Sequence, residues 1–188
     1  MPLLTRRTRR VLLWAVLGAT VAIFCAAPVL AATSLEYAVR ANYLYKFAPF
    51  VEWPPRLFAQ PTTPLSLCVV GEDPFGPALD DAVRGQTFNG RPIVIHRLPA
   101  VEPDSPCNIL FISKPTAQSS ADAMKAVAGE PVLTVTDGGR NGEAGIIRFL
   151  IEDGHVRFDI DLAAARAAGL NISSKLLSLA VSHRRAGA

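Results

Sequence analysis

LSLCVVG, residues 65–71, decides the fold. Only Ser66 is polar among the first six, and Gly71 stops the run, so it reads as a buried strand. Outward from it, strands and helices alternate. Residues 74–84 keep helical spacing through Phe75, Leu79, Ala82 and Val83, with Gly85 as the stop. Residues 92–98 form a second strand. A proline-rich loop over 99–106 leads to a third, residues 107–112. Residues 119–128 follow as a helix ended by Gly129, then residues 131–136 as a fourth strand and 137–142 as a flexible loop. Residues 145–151 and 155–160 flank Glu152-Asp153-Gly154, a strong hairpin signal. The end is helical, over 162–168 and, after a break at Gly169, from 172 to about 183. This order predicts a single α/β domain. Its sheet is mostly parallel and flanked by helices. The closing hairpin makes it mixed, with an antiparallel edge and a C-terminal helix.

The first 31 residues have the layout of a secretory signal peptide. Arg6, Arg7, Arg9 and Arg10 come first, an apolar stretch from Val11 to Ala27 follows, and Val29-Leu30-Ala31 offers a cleavage site. The alternative is an uncleaved membrane anchor, for which the apolar stretch is short. Thr8-Arg9-Arg10-Val11-Leu12-Leu13 also resembles a twin-arginine export motif. Cys25 does not mark a lipid anchor, because Phe24 before it is too large. Residues 32–188 are then the mature domain, in the periplasm and without membrane insertion. The full chain has 19 Lys+Arg and 16 Asp+Glu; removing four Arg leaves 15 against 16, a net charge of −1. The basic character belongs to the leader, and nothing in the mature chain points to nucleic acid.

Cleavage also removes Cys25 and leaves Cys68 and Cys107. An even pair in an exported chain predicts a disulfide. In a β-α-β-β order the first and third strands can lie side by side. Cys68 sits inside the first and Cys107 opens the third. Closing this loop restricts the unfolded chain by roughly 4 kcal/mol on the loop-entropy account.

ANYLYKFAPFVEWP, residues 41–54, holds five aromatics in fourteen positions. Ser34 is a plausible N-cap for a helix that Pro49 ends. Tyr37, Ala41, Leu44, Tyr45 and Ala48 fall on one face, which the core requires. Val39, Tyr43 and Phe47 form a second stripe, left for a dimer mate or a sensor domain. The alternative buries both stripes beneath the C-terminal helices.

Catalytic chemistry is hard to assemble from this sequence. His96, His155 and His183 have no metal-ligand spacing. Ser113 follows a strand, but no G-x-S-x-G surrounds it, and turn-capping is its expected role. Glu152 and Asp153 lie at a hairpin tip, where charge is solvated. Gly138-Gly139 is not a phosphate loop, since it lacks the lysine. The expectation is a non-catalytic exported domain with no cofactor and no metal.

Three segments together resemble the YfiR family: ANYLYKFAPFVEWP; LCVVGEDPFG followed by CNILFIS; and VRFDIDLAAARAAGLNISSKLLSLA. The resemblance spans nearly all of residues 34–183. It implies a periplasmic α/β protein that tends to dimerise. Such a protein represses an inner-membrane diguanylate cyclase through that enzyme's periplasmic sensory part, lowering cyclic di-GMP and restraining biofilm. Relatives accompany sensor histidine kinases. The family's cysteine pair falls on Cys68 and Cys107, while the family's second, C-terminal disulfide has no cysteines here. The expected partner-binding residues are Tyr43, Phe47 and Lys175. A rival reading is a small-ligand-binding protein with a pocket near Gly71 to Phe75, at the carboxyl ends of the strands.

Overall fold

Six consecutive buried residues make Leu65–Val70 (β2) an inner strand, covered on both faces. A computed structural model describes residues 27–114, 117–138 and 145–184. The chain divides into two units, Met1–Leu35 and Glu36–Ala188, and the sheet with its covering layers belongs to the second. The expected leader falls almost wholly outside the described residues.

Among the described residues the first helix, α1, spans Ala27–Phe47 and passes into a short 3-10 turn, Ala48–Phe50. It starts seven residues before Ser34, which is therefore inside the helix and not its cap. After β1 (Val51–Glu52) and β2 come α2 (Pro77–Val83), β3 (Thr87–Phe88) and β4 (Arg91–Leu98). Then follow β5 (Ile109–Ile112), α3 (Ser120–Ala126), β6 (Leu133–Asp137), β7 (Ile147–Glu152) and β8 (His155–Asp161). The described residues close with α4 (Leu162–Ala167), β9 (Asn171–Ile172), α5 (Ser174–Leu177) and β10 (His183–Arg184). The main sheet runs β10-β8-β7-β6-β5-β2-β4-β3. Strands β4, β2, β5, β6 and β7 are mutually parallel, and β7 pairs antiparallel with β8. This is the mixed, mostly parallel α/β sheet with a closing hairpin that the sequence predicts.

Local chemistry explains the element ends. Asp153 (φ 49°) and Gly154 (φ 72°) form the two-residue hairpin loop between the paired Glu152 and His155. Positive φ at both positions is what a tight hairpin turn demands. Ser119 caps α3 by accepting from the Asp122 N–H at 3.1 Å, and Asp161 caps α4 by accepting from Ala164 N–H at 2.9 Å. The Asp73 carboxylate accepts from the N–H groups of Phe75 and Gly76, which holds residues 74–76 in a turn and delays α2 to Pro77.

The C-terminal helix is much shorter than periodicity predicts. Ile172 pairs with Val51 in a two-stranded sheet, and Ser173 N–H donates to Phe50 O at 2.9 Å. Beyond α5, Val181 N–H donates to Phe158 O at 3.0 Å and β10 joins the free side of β8. Sheet pairing at both ends leaves one helical turn between.

One face of the sheet packs on α1, α4 and α5 through Leu67, Phe111, Val135, Phe149 and Phe158. The other packs on α3 through Val70, Leu110, Ile112 and Val132. Cys68 and Cys107 are bonded, with Cα atoms 5.6 Å apart. Asn108 arranges this. Its N–H donates to Ser66 O at 2.9 Å, and its side-chain oxygen accepts from Ser66 N–H at 2.8 Å, fixing the start of β5 beside β2. Cys68→Ser is expected to lower unfolding stability by about 2–5 kcal/mol, the usual loss for a native disulfide. Denaturant unfolding of oxidised wild type beside the variant measures it.

Candidate partner-binding surfaces

Successive helical residues turn by about 100°, so a step of three residues returns to within about 60° of the same direction. Phe47 follows Leu44 by three, and both point into the core. Phe47 is 1% exposed, with its ring centroid 5.2 Å from Phe158 and 5.9 Å from Phe149. The expectation that Phe47 meets a partner is therefore corrected. It belongs to the buried face, with Ala41, Leu44 and Ala48. Tyr43 lies at the border. Its ring stacks on Phe47 at 5.9 Å, meets Phe158 edge-on at 5.8 Å, and stays half-buried. Val39, one turn earlier, is 37% exposed.

A second surface follows α5. Leu176 is buried and anchors the turn, while Lys175 projects into solvent. Leu179 is 62% exposed and Val181 47% exposed, both large apolar side chains in the connection between α5 and β10. Such residues in one short segment are what the centre of a contact surface needs.

The crevice near Gly71 to Phe75 is built differently. Phe75 is buried against Phe111 at 4.6 Å and Tyr37 at 5.8 Å. The Arg97 guanidinium donates to Asp73 at 2.6 Å, to Asp80 at 2.7 Å and to Gly76 O at 3.1 Å. Donating to Asp80 and Asp73 holds Arg97 protonated well above its usual range, and accepting from Arg97 lowers the Asp80 pKa. The polar groups here lock β4 to α2. Grooves among the described residues lie elsewhere. One, of about 320 Å³, sits at the amino ends of β2 and β5 beside Cys107, and one of about 190 Å³ lies between α3 and α4.

The remaining chemical candidates stand apart. His96 is on β4 opposite Cys68, and His155 opens β8. Glu152 and Asp153 are exposed at the hairpin tip. Ser113 extends the β5 ladder, its N–H donating to Val70 O at 3.1 Å. Among the described residues no three of His, Cys, Asp or Glu are grouped to hold a metal ion.

Arg40 is a feature that periodicity does not reveal. It is 7% exposed, on the core side of α1. Its guanidinium lies 3.5 Å from Asp137, at the carboxyl end of β6, 3.8 Å from Glu36, and 4.7 Å above the Tyr37 ring. Tyr37 donates its hydroxyl to the other Asp137 oxygen at 3.0 Å. Burial pushes the Tyr37 pKa above its ordinary value, and the Asp137 charge pushes the same way. Arg40 Nε and Asp137 Oδ1 are buried without a hydrogen bond. The sequence signal is Glu36 four residues before Arg40, an ion-pair spacing on a helix.

The sequence profile of the YfiR/HmsC-like family matches residues 37–181, from the half-buried tyrosine of this cluster to the exposed valine after α5. The chain belongs to the YfiR/HmsC-like family.

Arg40→Ala strands the Asp137 carboxylate. Breaking a fully buried pair costs about 3–5 kcal/mol. Asp137 keeps 27% of its side chain in solvent, so the expected loss is smaller, about 2–3 kcal/mol. Arg40→Met with Asp137→Leu removes both charges and is expected to recover most of it, as read by urea unfolding.

Proposed function

We propose that this YfiR/HmsC-like chain is an exported, non-catalytic regulator. In this reading it works in the periplasm, binds the periplasmic part of an inner-membrane diguanylate cyclase, and holds that enzyme inactive. The observation that carries the reading is the family match over residues 37–181, because the family is regulatory and not catalytic. The contact is proposed on Lys175, Leu179 and Val181, where apolar side chains stand exposed beside a cation. Apolar groups there supply binding energy and Lys175 supplies orientation and encounter rate.

Repression needs a difference in affinity. The regulator must bind the inactive conformation of the sensor better than the active one, and each tenfold preference corresponds to about 1.4 kcal/mol. Two exposed apolar side chains are enough to supply that scale of difference when one conformation offers them a pocket.

Deletion of the gene is expected to raise cyclic di-GMP, and the wild-type chain to restore it. Leu179→Asp/Val181→Asp is expected to fold with an unchanged circular dichroism spectrum and fail to restore repression. Cyclic di-GMP unchanged by deletion removes the cyclase as target and turns the search to a sensor kinase. Full repression by the double variant removes this contact surface.

A further inference from the structure

We propose that the outer edge of β4, from Ile93 to Arg97, docks an extended segment of a different protein, which joins the sheet as one more strand. The segment is apolar and β-branched, with a basic residue beside Arg97. This stands independently of the regulator reading and of the surface around Lys175.

Two separate registers show which backbone groups face out. In a strand the N–H and C=O of one residue point to the same side, and the side alternates from residue to residue. On β2 the carbonyls of Ser66 and Val70 accept from Asn108 and Ser113, on the β5 side. Leu65, Leu67 and Val69 therefore face β4. Leu67 is level with Ile95, and in a parallel ladder it bonds the residues on either side, Val94 and His96. The backbone groups of Ile93, Ile95 and Arg97 then point away from the sheet. The hairpin before β4 gives the same answer. Its two-residue turn, Asn89 (φ 50°) and Gly90 (φ 78°), sets Phe88 and Arg91 against each other as a bonded pair. Arg91, and every second residue after it, faces outward. Strand β3 covers only Arg91 and Pro92. Among the described residues, no hydrogen bond reaches the outward backbone groups of Ile93, Ile95 or Arg97.

Open strand edges are normally blunted by charge, proline, a bulge or a covering segment. The far edge of the sheet follows that rule. There Val181 N–H donates to Phe158 O and Ile160 N–H donates to Ser182 O, so the chain covers its own β8. The edge of β4 lacks these devices. Its register with β2 runs unbroken from Ile93 to Leu98, so it carries no bulge. Its proline, Pro92, comes before the open stretch. Arg97 is the one Lys, Arg, Asp or Glu from Ile93 to Leu98, and its guanidinium is drawn to Asp73, Asp80 and Gly76 O.

The chemistry of the edge selects its occupant. Alternating N–H and C=O groups along a line are matched by another extended main chain. Ile93 and Ile95 pack partly buried on the larger core, and Val94 is 37% exposed on the opposite face. An added strand thus has apolar neighbours on both faces, which β-branched side chains fit. At the far end one arginine, Arg97, meets two aspartates, Asp73 and Asp80, and Asp80 keeps 47% of its side chain in solvent. That surplus of negative charge favours a basic residue there.

Amide hydrogen exchange on residues 32–188 tests this. In the protein alone, the amides of Ile93, Ile95 and Arg97 are expected to exchange at least about tenfold faster than those of Val94 and His96, which bond to β2. The probe is a capped hexapeptide, lysine followed by alternating valine and threonine. Its saturating addition is expected to slow the three outward amides by about tenfold or more. Replacing its lysine by glutamate is expected to weaken binding about threefold. Ile95→Pro removes an outward N–H and no bond to β2, so it is expected to keep a native circular dichroism spectrum and lose the peptide. Three outward amides already slow without peptide would overturn the proposal. Slow exchange at every protein concentration would assign the edge to another part of this chain, and slowing that grows with concentration would assign it to a second copy. Unchanged exchange at saturating wild-type peptide concentrations, or full binding by a folded Ile95→Pro, would also overturn it.

Discussion

The first helix can give the sheet only one face, and Leu44, Phe47 and Ala48 settle which. Burying a phenylalanine contributes roughly 1.5–3 kcal/mol, and Phe47 does so against two more rings, Phe149 and Phe158. Those rings sit opposite each other on the two strands of the closing hairpin. The hairpin thus has a covered face because α1 lies on it, and α1 has a fixed rotation because the hairpin rings receive Phe47. Arg40 and Asp137 fix the same rotation about two turns earlier, through charge. What remains outward on α1 is decided by these contacts.

The exit of the helix joins the two ends of the domain. Trp53 donates its indole N–H to Ala48 O at 3.1 Å, which closes the turn forced by Pro49. Val51 then pairs with Ile172, and Phe50 O accepts from Ser173 just before α5. The stripe on α1 and the exposed segment around Lys175, Leu179 and Val181 are therefore connected through a few backbone hydrogen bonds.

Much of this is legible in the sequence. Runs such as LSLCVV and ILFI are apolar on both faces, so inner parallel strands announce themselves. Glu152-Asp153-Gly154 carries its turn in its residue types, and Cys68 with Cys107 follows from strand adjacency. The departures have physical causes. Grouping Phe47 with Val39 and Tyr43 sets it opposite Leu44, although a three-residue step changes direction little. Helical spacing in 172–183 suggests a longer helix, but it is silent about backbone groups that Phe50 and Phe158 capture from afar. Ser34 has the chemistry of a cap, yet local preference does not stop a helix whose preceding residues continue it. Arg40 resembles a surface charge because its partner, Asp137, is distant in sequence.

The division of α1 into a buried face and an outward stripe is tested most directly by comparing Phe47→Ala with Tyr43→Ala in urea unfolding. Phe47→Ala is expected to lose about 3–5 kcal/mol, the range for emptying a core aromatic site. Tyr43→Ala, at the border of the buried face, is expected to lose less than half as much and to keep a native spectrum. Equal losses, or a stable Phe47→Ala protein, would contradict the account and place the two rings on one common surface.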